Sequence, residues 1–136
     1  MKEEDLKLLE VAKACIMNAY SPYSGIKIAA VLLSKEGNIF SGVNVENSSY
    51  PEGVCAETSA ISAMISSGDK VIQKVLILSD FREKEITRPC GGCRQRLKEF
   101  ATDDVEVIIT NLDQSKIETY TMKALLPHSF TLKEND

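Results

Sequence analysis

Hydrophobic positions along this chain follow two spacings, and the switches between them mark its elements. Residues 4–20 place Leu6, Leu9, Ala12, Ile16 and Ala19 on one face at helical spacing, which predicts a first helix. SPYSG breaks it. IKIAAVLLS (26–34) and NIFSGVNV (38–45) read as strands joined in a hairpin by KEG. ENSSYPEGV reads as loop. From Cys55, AETSAISAMISSG returns to helical spacing, with Ala60, Ile61, Met64 and Ile65 as its apolar positions and Gly68 as its C-cap. KVLILSD (74–80) is a continuous apolar run, expected of a strand covered on both faces. Pro89 opens another helix with Cys93, Leu97 and Phe100 on one face. VEVIIT (105–110) is a second covered strand, and KIETYTM follows the turn NLDQS as the last. The chain ends in a charged tail, TLKEND, expected to fray.

The order α-β-β-α-β-α-β-β predicts an α/β fold of three layers, α-β-α, around a five-stranded mixed sheet. Only a short turn joins the last two strands. A parallel crossover needs a dozen residues or more, so this pair must be antiparallel. With 136 residues and no internal repeat or linker, residues 1–136 read as a single catalytic domain able to bury a real core.

Charge narrows the partners. Sixteen basic and 20 acidic residues give a net charge of −4, and no Lys/Arg run forms a footprint for a phosphate backbone. Nucleic acid is therefore not the expected partner, and a small, weakly charged ligand fits better. The N-terminus MKEEDLKLLE has no signal-peptide core, and no apolar run is long enough to span a bilayer. The expected location is the cytoplasm, with no membrane partner. There, four cysteines are expected free, catalytic or metal-bound.

The segment TRPCGGCRQ (87–95) sharpens that expectation. A CxxC pair alone serves a redox disulfide, half a zinc site or a core equally well. VCAETSA (54–60) supplies a third cysteine. Cys55 and the pair Cys90/Cys93 each begin a predicted helix, where free N–H groups and the helix dipole favour thiolate. Three thiolates can converge on one tetrahedral Zn²⁺ per chain. Cys15 is far off in the first helix, and the only histidine, His128, lies near the C-terminus. Three protein ligands with an open fourth position are the pattern of a catalytic zinc. Glu57, two residues beyond a ligand, can reach a water on that position and move its proton.

These residues resemble those of a known family. Cys-Ala-Glu followed by Pro-Cys-x-x-Cys is similar to the signature of zinc-dependent nucleoside and nucleobase deaminases. SPYS, NVEN, Tyr50, CAE, PCGGCRQ and LLPHSF together resemble the small, homotetrameric-type cytidine deaminases over most of the chain. The resemblance implies hydrolysis of cytidine and deoxycytidine to uridine and deoxyuridine with release of ammonia, a reaction of pyrimidine salvage. It implies a homotetramer with shared active sites. It also implies roles: Asn44 and Glu46 on the ribose 3′-hydroxyl, the Ala56 N–H on the pyrimidine 2-oxo group, and Glu57 carrying protons to N3 and the departing ammonia. The Arg88 carbonyl meets the leaving amino group, and Phe130 reaches the base in a neighbouring subunit's site. Two positions depart from the family pattern. Thr58 stands where an arginine often offsets the cysteine charge, leaving helix N–H groups, Thr58, Arg94 or Gln95 to do so. Ile26 stands where phenylalanine is common, so one wall of the base pocket is aliphatic.

Plainer roles stand beside these. Cys15 reads as a small buried hydrophobe, Arg94 and Arg96 as solvated helix charges, and His128 as a surface or subunit-contact residue. Phe130 has two possible homes, its own core or a partner. Two other activities compete: deamination of a cytosine-containing antibiotic of the blasticidin type, and a structural zinc or redox protein without catalysis. A cysteine–histidine hydrolase would rest entirely on His128. The NVEN sugar motif weighs against the first, and Glu57 with the missing fourth ligand against the second.

Overall fold

A computed structural model of the chain describes residues 1–133, apart from the side chain of Glu83. The end of the TLKEND tail, 134–136, lies outside the described residues, and so does the expectation that it frays. Helix α1 (Glu3–Cys15) is followed by the hairpin β1 (Lys27–Ser34) and β2 (Ile39–Val43), then α2 (Ala56–Ser67), β3 (Ile72–Asp80), α3 (Gly91–Phe100), β4 (Glu106–Asn111), β5 (Ile117–Thr121) and a short α4 (Met122–Leu125). The strands form one sheet in the order β2-β1-β3-β4-β5. β1 pairs antiparallel with both β2 and β3, β3 and β4 are parallel, and β4–β5 is antiparallel as the short turn required.

The continuous apolar runs are explained by the layers on both faces. Alternate side chains of a strand point to opposite sides. Ala29, Val31 and Leu33 of β1, Leu76 and Leu78 of β3 and Ile108 of β4 pack under α1, against Leu8, Leu9, Ala12 and Ile16. Their neighbours Ala30, Leu32, Val75, Ile77, Val107 and Ile109 face α2 and α3, against Ala60, Met64 and Leu97. The three central strands, β1, β3 and β4, are thus buried on both faces, which leaves no alternating pattern to read.

The first helix differs from expectation. It ends at Cys15, and a 3₁₀ turn (Ile16–Asn18) follows, so Ala19 is buried outside the helix. Its inward stripe is Asp5, Leu8, Leu9 and Ala12, while Leu6 is 49% exposed. Asp5 reaches inward to a buried Lys74 on β3, at 2.7 Å. Ile65 of α2 likewise lies on the outer side, while Gly68 takes φ 102° and caps α2 as expected. Pro89 lies just before α3 rather than in it, and the last strand gives way to α4 at Met122.

Candidate active site

Both cysteine-bearing helices begin at the same end of the sheet, and two local features bring their N-termini together. Gly42 on β2 lets α2 lie directly on the sheet. A Cβ there would come within 2.4 Å of the Ala60 backbone nitrogen and 2.7 Å of the Ala56 carbonyl. The Ser59 hydroxyl donates to the Val43 carbonyl at 3.1 Å and fixes the same contact. Cys55 is the N-cap of α2 and Cys90 the N-cap of α3. The Cys90 sulfur accepts the Cys93 backbone N–H at 3.4 Å, an arrangement that orients the sulfur.

The sulfurs of Cys55, Cys90 and Cys93 all lie within 4.8 Å of one another. A tetrahedral zinc with Zn–S bonds of ~2.3 Å sets its ligand sulfurs ~3.8 Å apart, so this donor set fits such an ion with small adjustments. Their protons are shared. Hydrogen bonding from the Cys93 thiol, then from Cys90 and the charge of Arg96, outweighs burial and lowers Cys55 to about 6. Cys93 is pushed far above the ordinary thiol range by its bond to Cys55, by burial and by the charge of Glu57.

Glu57 sits in the first turn of α2 and is 4% exposed. Burial raises its pKa, and the Cys55 charge adds to the rise against the lowering effects of the helix backbone, Cys93 and Arg96. A cavity of about 410 Å³ opens onto it, within the ~300–1,000 Å³ range of small-ligand sites. Nine of the ten residues expected in the site line that cavity: the three cysteines, Glu57, Ala56, Ile26, Asn44, Glu46 and Arg88. Ala56 is the first residue of α2, so its N–H has no partner within the helix.

Two of these side chains are already engaged. The Asn44 amide accepts the Ile28 N–H at 2.8 Å and donates to the Ile26 carbonyl at 2.9 Å, which leaves it one further N–H. Glu46 accepts the backbone N–H groups of Tyr23 (3.0 Å) and Ser24 (3.1 Å) on one oxygen and the Ser24 hydroxyl on the other. The Ser24 hydroxyl bond, more than the backbone ones, keeps its pKa below the usual carboxylate range. It remains an ionised acceptor with lone pairs to spare. Phe130 does not join them. The residue is 69% exposed, and its carbonyl accepts from the Gln95 amide at 3.1 Å.

Sequence reasoning missed some contributors. Ser24 belongs to the SPYS segment, yet nothing in one sequence pairs it with Glu46, 22 residues away. Tyr23 and Tyr50, with ring centres 5.9 Å apart, form part of an adjoining hollow that also contains Glu46. Arg96, expected to be a solvated charge, folds back along α3. Its guanidinium would lie 3.0 Å from a Cβ on Gly92, and its charge lowers both Cys55 and Glu57. Arg96 is nevertheless exposed, as a solvated charge would be, while Arg94 donates to the carbonyls of Pro89 and Leu125, each at 2.8 Å. Cys15 lies half-buried against the α1-side core, as a small hydrophobe would, and His128 is exposed.

A helix-flanked sheet that gathers three cysteines and a buried glutamate in one small-molecule cavity is the architecture of a hydrolytic deaminase. The family model described as "Cytidine and deoxycytidylate deaminase zinc-binding region" matches residues 2–109. The chain belongs to this cytidine and deoxycytidylate deaminase family. A probable cytidine deaminase of Dictyostelium discoideum is 41% identical over 135 residues, covering 98% of this chain and 89% of that protein. The cytidine deaminase of Sporosarcina psychrophila is 36% identical over 128 residues, 94% of this chain and 92% of its own. The crystal structure of cytidine deaminase from Burkholderia pseudomallei matches with a TM-score of 0.85 at 33% identity, covering 96% of this chain and all of that one. No helix among the described residues is long and apolar enough to cross a membrane.

Proposed function

We propose that the chain hydrolyses cytidine and deoxycytidine to uridine and deoxyuridine, releasing ammonia, as a cytoplasmic enzyme of pyrimidine salvage. One observation carries the reading: Glu57, buried and with no ion-pair partner among the described residues, shares a cavity with the cluster of Cys55, Cys90 and Cys93. The three cysteines would hold one zinc ion, which supplies an activated water when bound.

The protein's own groups do the rest. Water adds at C4 of the pyrimidine, the C4–N bond breaks, and the products are a carbonyl at C4 and ammonia. Glu57 takes the proton of the incoming water, delivers it to N3 and then assists the departing amine. A carboxyl raised by burial suits both taking and giving a proton. The Ala56 N–H binds the 2-oxo group, the Arg88 carbonyl meets the leaving amino group, and Ile26 packs beside the base. Asn44, through its remaining N–H, and Glu46, as acceptor, recognise the 3′-hydroxyl. Ser24 and Tyr23 fix that carboxylate by three bonds. Arg96 offsets the charge of the thiol cluster in place of a cation at Thr58.

The reading includes a homotetramer with shared sites. The exposed ring of Phe130 supports it, because an apolar ring held at its backbone and left outside its own core is available to a neighbour's cavity.

The test is an ultraviolet assay on cytidine, deoxycytidine, cytosine and blasticidin S, each with and without a chelator. The account expects turnover of the two nucleosides only, abolished by chelation and restored by zinc. Preferential turnover of blasticidin S would reassign the substrate, and nucleoside turnover indifferent to chelator would remove the metal.

A further inference from the structure

The segment 81–90 crosses from β3 to α3 and supplies one wall of the cavity through Thr87, Arg88 and Pro89. It carries almost no regular structure, only a 3₁₀ turn at Arg82–Lys84. Such a segment holds a reacting group in place only if something else fixes it. The β4–β5 hairpin does so in successive steps. Lys84, in the left-handed conformation at φ 62°, pairs with Asp113 at 2.9 Å and receives the Asn111 side-chain N–H on its carbonyl. Glu85 pairs with Lys116 at 2.7 Å. The last step is the tightest. Glu118 accepts both arms of the Arg88 guanidinium, at 2.9 and 2.8 Å, and the Tyr120 hydroxyl at 2.7 Å. Tyr120 also meets the Arg88 Nε at 3.3 Å.

Strand pleating explains why these two residues are available. Glu118 and Tyr120 stand opposite Ile109 and Val107, whose side chains face α2 and α3. Two residues apart, they project on the same face as the thiol cluster. Neither lines the cavity.

We propose that Glu118 and Tyr120 are positioning residues, which fix Arg88 and through it the backbone that meets the reacting amidine. This rests on the deaminase reading above. The pair is half open to water, so as a stabilising ion pair it is worth little. Its fork geometry, which only arginine can fill, is what counts.

The test uses the zinc-loaded protein. In Glu118→Ala, kcat for cytidine should fall roughly tenfold with KM within about twofold, since a misplacement near 1 Å costs up to ~10²-fold in rate. Zinc content and melting temperature should match the wild type. Arg88→Lys, which keeps the charge and loses the fork, should behave like Glu118→Ala, and the double variant should be no worse than either. Hydrogen exchange at the amides of residues 85–88 and 90, read without substrate, should quicken in both variants. Wild-type kcat and exchange in Glu118→Ala would overturn the proposal, as would a loss of rate explained wholly by unfolding. A wild-type protein inert to cytidine would instead defeat the deaminase reading, while the exchange comparison would still test the clamp.

Discussion

Two carboxylates in this molecule are both nearly closed to water, Glu57 the more deeply set, and are shifted in opposite directions. Asp5, in the first turn of α1, is 5% exposed, and Glu57, in the first turn of α2, is 4% exposed. Burial pushes both up. At Asp5 the Lys74 ammonium and the Lys2 backbone N–H overcome it and hold the group below the carboxylate range. At Glu57 no such partner stands opposite, the nearby Cys55 charge works the same way as burial, and the pKa rises. Lys74 completes its surroundings with Glu4 at 3.0 Å and Glu106 at 3.5 Å, and its own pKa rises. A paired buried acid ties a helix to a sheet. One with no ion-pair partner among the described residues, beside three thiols and an open cavity, marks a candidate site for chemistry.

The largest effect expected is at the thiols that set Glu57 apart. Cys93→Ala should lose zinc and activity together, since two ligands and water make a poor site. Metal analysis beside the cytidine assay checks this, and a variant with full zinc and rate would dismantle the ligand assignment.

At the other carboxylate the loss should be of stability. Breaking a buried pair costs ~3–5 kcal/mol, and because Glu4 and Glu106 still face Lys74, Asp5→Asn should fall near the lower end, about 3 kcal/mol. Denaturant unfolding measures it, and activity per folded molecule should be unchanged. The pH dependence follows from the signs. Asp5, lowered in the fold, contributes above its unfolded value of ~3.9 and loses that contribution as pH falls through its folded value. Lys74, raised in the fold, contributes fully below ~10.4 and loses it as pH rises through its folded value. The acid limb of the stability profile should therefore flatten in Asp5→Asn. An unchanged limb would show that Asp5 is not paired as described.

A smaller effect is expected at Phe130. An aromatic–base stack is worth ~1–3 kcal/mol, so Phe130→Ala should raise KM for cytidine while zinc content stays and stability moves by less than ~0.5 kcal/mol. A loss of ~3–5 kcal/mol in stability with unchanged KM would place the ring in its own core instead.

This contrast was only half legible in the sequence. Cys55, Cys90, Cys93 and Glu57 could be read because each is tied to a helix start by local signals, and two helix starts at one sheet end bring them together. The antiparallel last pair could be read because the length of NLDQS leaves no other connection. Asp5 could not, since nothing short-range in EEDLKLLE says that the third acid faces a lysine 69 residues on. Arg96 is exposed, as a solvated helix charge should be, and only the direction of its side chain was beyond the sequence. A long charged side chain on a helix can swing to water or back to the helix start, and only the positions of the sulfurs decide. The clamp on Arg88 needs the β5 register, which the short apolar pattern of KIETYTM does not specify to one residue.

The comparison of the two acids turns on whether Glu57 is the proton carrier, and one variant asks that directly. Glu57→Gln keeps the shape and the metal ligands and removes the ionisable group, so the protein should hold about one zinc per chain and melt no lower than wild type. Its turnover of cytidine should fall by at least ~10²–10⁴, the worth of a single acid–base step, because this residue serves more than one. Near-normal turnover in a zinc-loaded Glu57→Gln protein would contradict the account.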